Sequence, residues 1–363
     1  MTIKEIEVLS GEERAVNSDE VSQVFYPWRR FLARTFDIFM YSIIWSAFIA
    51  FIFHVNLSNR SNLGNMFDSF VETVMMLFLE PVWLHLFGAT PGKAIFGLRI
   101  ETYDGRRLSY GEGLERTWGV LGSGMGYNIP IYNIFRLWKS YTLCGENETQ
   151  PWDESISYTI KDTKRYRSLV CIGSYAAGFF VLVTMMSAQY LPPNRGDITV
   201  AEFAENYNYY SKFLDINYGN EYLDENGKWT ERDIDGTIYV EIGHAENPQY
   251  HYTIENGYVA GVSFEVEIRN SEDWLSSYNS QMFLASLAFI GAQNEMKLFS
   301  KIPKRIAEQI SNNTFQDFHF TEAGIVSACN TEYSGYTKSS FLFPEESTPE
   351  NYFSLEFSVN KQK

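Results

Sequence analysis

Phe36 to Val55 reads FDIFMYSIIWSAFIAFIFHV, and after Asp37 it holds no Asp, Glu, Lys or Arg. A helix of roughly 20 such residues matches the hydrocarbon core of a bilayer. Arg29, Arg30 and Arg34 sit at its start. Basic residues collect on the cytoplasmic side, so this end is expected inside. Residues 1–24 are acidic and polar, with no apolar run and no small-residue cleavage site. The segment therefore reads as a retained anchor rather than a secretory signal.

Three further segments follow. Met66 to Phe87 is apolar but is interrupted by Asp68, Glu72, Glu80 and His85. Ser168 to Asn194 carries no charge, and Pro192-Pro193 bars helix beyond Leu191. Between them, Thr117 to Phe135 is also uncharged, yet it holds Gly119, Gly122, Gly124, Gly126 and Pro130. Such a composition makes a poor continuous helix. Basic residues flank it on both sides, at 88–116 and at 136–167. Both flanks then lie in the cytoplasm, and the segment is expected to be re-entrant or broken, shielded by protein or water. The alternative is four full spans, which would export six basic residues in one short loop. The preferred reading has an acidic cytoplasmic tail at 1–27, a membrane domain at 28–167, a transmembrane helix at 168–191 and an extracytoplasmic domain at 192–363, in the inner membrane of a bacterium.

The 363 residues carry a net charge of −16. Residues 1–192 hold 17 Lys+Arg against 19 Asp+Glu, and residues 193–363 hold 12 against 26. The acidity belongs to the second half. Nucleic-acid binding is excluded there, because neutralising phosphates needs clustered Lys and Arg. Cys144, Cys171 and Cys329 show no metal-ligand spacing, and the five histidines form no HxxxH pair, so neither a metal nor a cofactor is expected.

In the basic stretch, GLRIETYDGRRLSY (97–110) alternates Leu98, Ile100 and Thr102 and then turns at Asp104-Gly105. This predicts a small cytoplasmic β-hairpin, with Ile156 to Ile160 as a candidate third strand. GATPGKAIFG (88–97) has neither the spacing of a phosphate loop nor its Ser/Thr, which excludes nucleotide binding in that mode.

Ala33-Arg34-Thr35-Phe36-Asp37, Gly88-Ala89-Thr90-Pro91-Gly92-Lys93, Gly97-Leu98-Arg99, Asp104-Gly105-Arg106, Arg116 and Pro151-Trp152-Asp153 together resemble the RDD family of bacterial membrane proteins over about residues 27–162. Carried over, the named arginine is Arg34 and the aspartates are Asp37 and Asp153. Thr90-Pro91-Gly92-Lys93 is the most specific motif. The resemblance implies an integral membrane protein of few spans and largely unassigned biochemistry, with ion or small-molecule transport proposed for some members. Two features depart from the family: Glu154 stands where a basic residue is more usual, and a large domain is appended.

The intramembrane polar candidates are Arg34, Asp37, Glu80 and Asp153. Arg34 and Asp37 are three apart on one helix face and are expected to pair. Glu80 follows the apolar run 75–79 and precedes Pro81. An intramembrane carboxylate must be paired, protonated or hydrated. It either pairs with a cation such as Arg116 or Arg34 and holds the bundle together, or faces a cavity and carries a proton or cation.

The second half reads as an α+β domain with an antiparallel sheet. Thr199 to Glu202 is a capping box. Asn226-Gly227, Asp235-Gly236 and Asn256-Gly257 are primed-turn dipeptides. GTIYVEIG, YHYTIE, YVAGVSFEVEI and YFSLEFSV read as strands, with helices at 278–296 and near 303–311. No nucleophile–base pair is recognisable, so an enzyme is not expected. Two functions compete. In one, the bundle moves an ion or small solute and the outer domain modulates it. In the other, the bundle only anchors an outer domain that binds a ligand or envelope partner.

Overall fold

Among the described residues three helices are long and apolar enough to cross a membrane: α1 Pro27–Ile52, α2 Asn62–Phe87 and α6 Tyr166–Ala188. At 1.5 Å per residue they are about 39, 39 and 34 Å long, against a hydrocarbon core of roughly 30 Å. The computed structural model describes residues 25–161, 164, 166–232, 247–345 and 350–362. The chain divides into two units: residues up to Phe48 with Ser61–Leu182, and Ile49–Arg60 with Val183 onward.

In the first unit, Ser61 caps α2 by accepting from Gly64 N at 3.1 Å. Gly88 ends it in the left-handed region (φ +69°), which a glycine adopts without steric cost. A five-residue helix, α3 Pro91–Ile95, follows with Thr90 as N-cap. Then come β1 Leu98–Thr102 and α4 Tyr110–Gly119. Gly113 of α4 is the point of close approach to α2, because a Cβ there would lie 3.0 Å from the Pro81 Cα. On the other side, Tyr175 of α6 packs against Phe36 and Phe39 of α1.

The expected hairpin is corrected. Gly105 N bonds Thr102 O at 2.9 Å and Thr102 N bonds Arg106 O at 2.9 Å, so the turn forms. No second strand follows it, because Ser109 and Glu112 form a capping box that starts α4. The strand that pairs with β1 is β2 Ile156–Ile160, antiparallel, with Ile100 opposite Tyr158. Leu98, Ile100, Ile156 and Tyr158 are buried together with Ala33, Leu84 and Cys171.

The third segment is broken. After Gly119 a wider helical turn (Val120–Gly124) and a tight one (Gly126–Asn128) lead into α5 Tyr132–Gly145. Tyr127, Asn128 and Ile131 all have positive φ, so the chain reverses there. Side chains from α5 satisfy the carbonyls that this leaves free: Asn133 donates to Met125 O at 2.8 Å and Arg136 to Ser123 O at 2.7 Å. Two of the glycines have a packing role, since a Cβ on Gly119 or Gly124 would press on Trp152 at 2.9 and 3.0 Å.

The second unit holds a five-stranded antiparallel sheet in the order β5-β6-β11-β8-β7. These strands are β5 His251–Glu255, β6 Tyr258–Arg269, β7 Phe318–Glu322, β8 Ile325–Ser334 and β11 Tyr352–Lys361. Short ribbons, β3 Glu221–Leu223 with β4 Trp229–Glu231 and β9 Tyr336–Lys338 with β10 Leu342–Pro344, lie outside it. The helices are α7 Val200–Phe213, α8 Asn279–Ile290 and α9 Ile302–Asn312. Helix α8 is apolar on all sides and its residues Leu284 to Ile290 are all buried, as expected of a core helix. Helix α9 buries only Ile302, Pro303, Ile306 and Ile310. The expected strand GTIYVEIG and its Asp235-Gly236 turn lie outside the described residues, as does the tail to residue 24.

Asn206 of α7 is fully buried and bonds both ways with Asn194, at 3.0 Å each. A fragment of residues 192–363 is therefore expected to melt cooperatively, and one starting at Gly196 to be weaker by about 1–3 kcal/mol, because the buried amide loses both bonds to Asn194 and keeps only the one to Ala288 O. Thermal denaturation of the two fragments checks this. Equal melting points would remove Asn194 from the fold, and aggregation of both would show that the region does not fold alone.

Candidate functional site

Arg30, Arg34 and Asp37 recur at spacings of four and three along α1, so they share one face. That face meets Glu80 of α2, Lys93 of α3, Arg116 of α4 and Asp153, which precedes β2. The result is one connected network of alternating charge. Arg34 grips both oxygens of Glu80, one of them at 3.0 Å. Lys93 Nζ bonds Glu80 Oε1 at 2.8 Å and lies 3.9 Å from Asp37 Oδ2. Arg116 Nη1 reaches Glu80 Oε1 at 3.4 Å, while its Nε and Nη2 bond Asp153 Oδ1 at 3.0 and 2.9 Å. Arg30 holds the other oxygen of Asp153.

The hydrogen-bonding partners of Asp37 are not those expected. Thr90 Oγ1 donates to it at 2.6 Å and Gly92 N at 2.7 Å. The two bonds fix the position of the Asp37 carboxylate. The three carboxylates and Lys93 are buried. Every one of the sequence candidates Arg34, Asp37, Glu80, Asp153, Thr90, Gly92 and Lys93 falls in this cluster, and Pro91 opens the short helix that aims Lys93. Arg30 is a member that sequence reasoning assigned only to topology. Its signal was the four-residue step to Arg34.

Glu80 lies seven residues from the end of α2 and Arg34 seven from the start of α1, about 10 Å along each helix. The network therefore sits near the helix ends beside α3 and β1, not at mid-helix. The Tyr158 ring of β2 lies under it, 4.2 Å from the Arg30 guanidinium carbon and 5.8 Å from that of Arg116. Burial pushes the Tyr158 phenol up, so it stays neutral. Burial likewise pushes the Lys93 ammonium down to about 8, even though Glu80 opposes the shift.

Among the described residues this centre counts four cations against three carboxylates. Arg30, Arg34, Lys93 and Arg116 line one part of a cavity of about 530 Å³, and the rest of its lining is mostly apolar, including Val120, Met125, Leu137 and Trp152. No group of His, Cys, Asp and Glu suited to a metal occurs among the described residues.

The model of the RDD family matches residues 26–195, the N-terminal region of the chain, and leaves the rest as a separate region. No curated protein and no solved structure matches the chain.

Proposed function

We propose, starting from the membership of residues 26–195 in the RDD family, that the bundle of this membrane protein binds an anion at the Arg30–Arg34–Lys93–Arg116 centre and moves it across the membrane. The observation that carries this reading is the excess of one positive charge at the edge of a cavity. Four cations share three carboxylates, and an uncompensated positive charge in a buried network is a cost that an incoming anion relieves. Glu80 suits a structural part better than a proton- or cation-carrying one, because three cations already compensate it. The chemistry then rests on the cations, and no enzymatic step is involved.

Proteoliposomes loaded with chloride, phosphate or acetate test the proposal. Anion flux is expected, and it should fall as pH rises through about 8, because Lys93 is charged below that value and neutral above it. Lys93→Gln should remove that pH step. A well-folded reconstituted protein that passes none of the three anions would overturn transport.

The proposed orientation puts the centre on the cytoplasmic side and residues 192–363 outside, as the flanking arginines favour. The three native cysteines are buried and make poor reporters. Ser340→Cys and Thr149→Cys occupy exposed positions. With a membrane-impermeant maleimide, the first should label in spheroplasts and the second only after lysis. The reverse pattern would place the acidic region inside. The second reading, a ligand-binding outer region on a membrane anchor, is favoured by a cavity of about 840 Å³ in the second unit, lined by Tyr209, Tyr222, Trp229 and Asp224 among others.

A further inference from the structure

The cavity beside the ion network joins a cationic part to an apolar one. Its charged lining residues are Arg30, Arg34, Lys93 and Arg116, whereas Trp28, Phe31, Ile134, Trp138 and Tyr141 line much of the rest. These five side chains are all exposed, Trp28 at 64%, Ile134 at 68% and Trp138 at 69%. Ile134, Trp138 and Tyr141 recur at i, i+4 and i+7 and so form a stripe along α5. A stripe of large apolar and aromatic groups on a helix that begins at a chain reversal is the pattern of a helix lying in the membrane interface.

One polar group in the cavity lining is unsatisfied. Gln150 is 2% exposed, and its Nε2 donates to Ser140 O at 3.1 Å. Among the described residues its Oε1 has no hydrogen-bond partner. That bond to Ser140 fixes which end of the amide is the oxygen, so the open position is a hydrogen-bond acceptor and calls for a donor. A buried acceptor without a partner is a cost that a ligand hydroxyl removes.

We infer that the cavity is the site of an anionic glycerophospholipid with a hydroxyl-bearing head group. The phosphate would face Arg30, Arg34 and Arg116, the hydroxyl would donate to Gln150 Oε1, and the acyl chains would lie on Ile134, Trp138 and Phe31. The inference rests on the anion-binding part of the reading above, not on its transport step, and gives the resident anion of the site its chemical class. Charge complementarity argues for the phosphate, as basic pockets between membrane helices take lipid head groups. The exposed apolar wall argues for chains rather than a free anion, since each methylene sheltered from water adds affinity.

The test uses the full chain in detergent, with lipid retention read by native mass spectrometry and competition. Phosphatidylglycerol should be retained about tenfold or more over phosphatidylcholine, whose head bears no net charge and no hydroxyl. Glycerol 3-phosphate at the same concentration should not displace it. Ile134→Ala with Trp138→Ala changes only exposed groups outside the ion network. It should weaken retention about tenfold while the melting point stays put. Gln150→Leu should narrow the preference for phosphatidylglycerol over phosphatidic acid, which has no head-group hydroxyl. Equal retention of phosphatidylglycerol and phosphatidylcholine would overturn the inference. Displacement by glycerol 3-phosphate would overturn the lipid class yet leave the anion site standing. A folded protein that takes neither lipid nor glycerol 3-phosphate would remove both.

Discussion

Glu80→Gln is expected to lower stability by about 3–5 kcal/mol, the usual cost of removing one partner from a buried ion pair. Arg34, Lys93 and Arg116 all meet at this carboxylate. The amide is close in shape but supplies no charge, so the four cations Arg30, Arg34, Lys93 and Arg116 are left against Asp37 and Asp153. It also places an N–H where a donor already points, because one of the two Glu80 oxygens must become nitrogen. In detergent the midpoint of unfolding should fall by on the order of 10 °C. Lys93→Gln in the same chain should recover part of the loss, because it removes one of the stranded charges, and a double-mutant cycle measures that coupling. A midpoint within about 1 °C of the parent would show that Glu80 is not held as described. The variant also separates roles. Anion flux that persists at Glu80→Gln in the surviving folded fraction leaves the cations as the working groups, whereas selective loss of flux at full stability would return Glu80 to the transport step.

The membrane helices are legible in the sequence because a run of about 20 uncharged, apolar residues is longer than a water-soluble core needs and matches a bilayer. The turns of the second unit are legible too. Asn256 (φ +53°) and Gly257 (φ +85°) join β5 to β6 as a primed turn, and Thr199 with Glu202 caps α7. Partner choice is where the sequence falls short. Arg34 and Asp37 are neighbours on a helix face, and periodicity offers nothing beyond pairing them with each other. In the fold, Arg34 reaches a residue 46 positions away and Asp37 one that is 53 away. Local spacing carries no information about such contacts, since they depend on how three helices and a short turn converge. Strand pairing divides the same way. The Asp104-Gly105 turn is real and the candidate strand 156–160 does join β1, but the expected second hairpin strand gives way to the helix that Ser109 and Glu112 cap. In the second unit, β11 is the last of the described strands in sequence and the middle one in the sheet. Gln150 had no signal at all, because a lone glutamine before a proline is usually a surface residue.

Gly92→Ala, the smallest change available in the Thr90-Pro91-Gly92-Lys93 motif, is expected to be among the most damaging. A methyl group built at Gly92 would lie 2.1 Å from the Ala33 carbonyl oxygen and 2.9 Å from Asp37 Oδ1. The first of these is backbone in the middle of a helical turn and cannot swing aside. Relief requires α3 to move off α1. That movement would break the bonds from Gly92 N and Thr90 Oγ1 to Asp37 and carry Lys93 away from Glu80. Overpacking alone costs about 1–3 kcal/mol. Each lost hydrogen bond to a charged group adds about 1.5–3 kcal/mol. The sum exceeds the effect expected at Glu80, so little folded protein should survive extraction. Gly111→Ala is the control. It lies in α4, where an added methyl group meets nothing within 4 Å, and alanine is favoured over glycine in a helix by about 0.5–1 kcal/mol. That variant should melt at or slightly above the parent temperature. If the two alanine variants behave alike, the close approach of α3 to α1 at Gly92 is wrong, and the alignment of Lys93 with Glu80 goes with it.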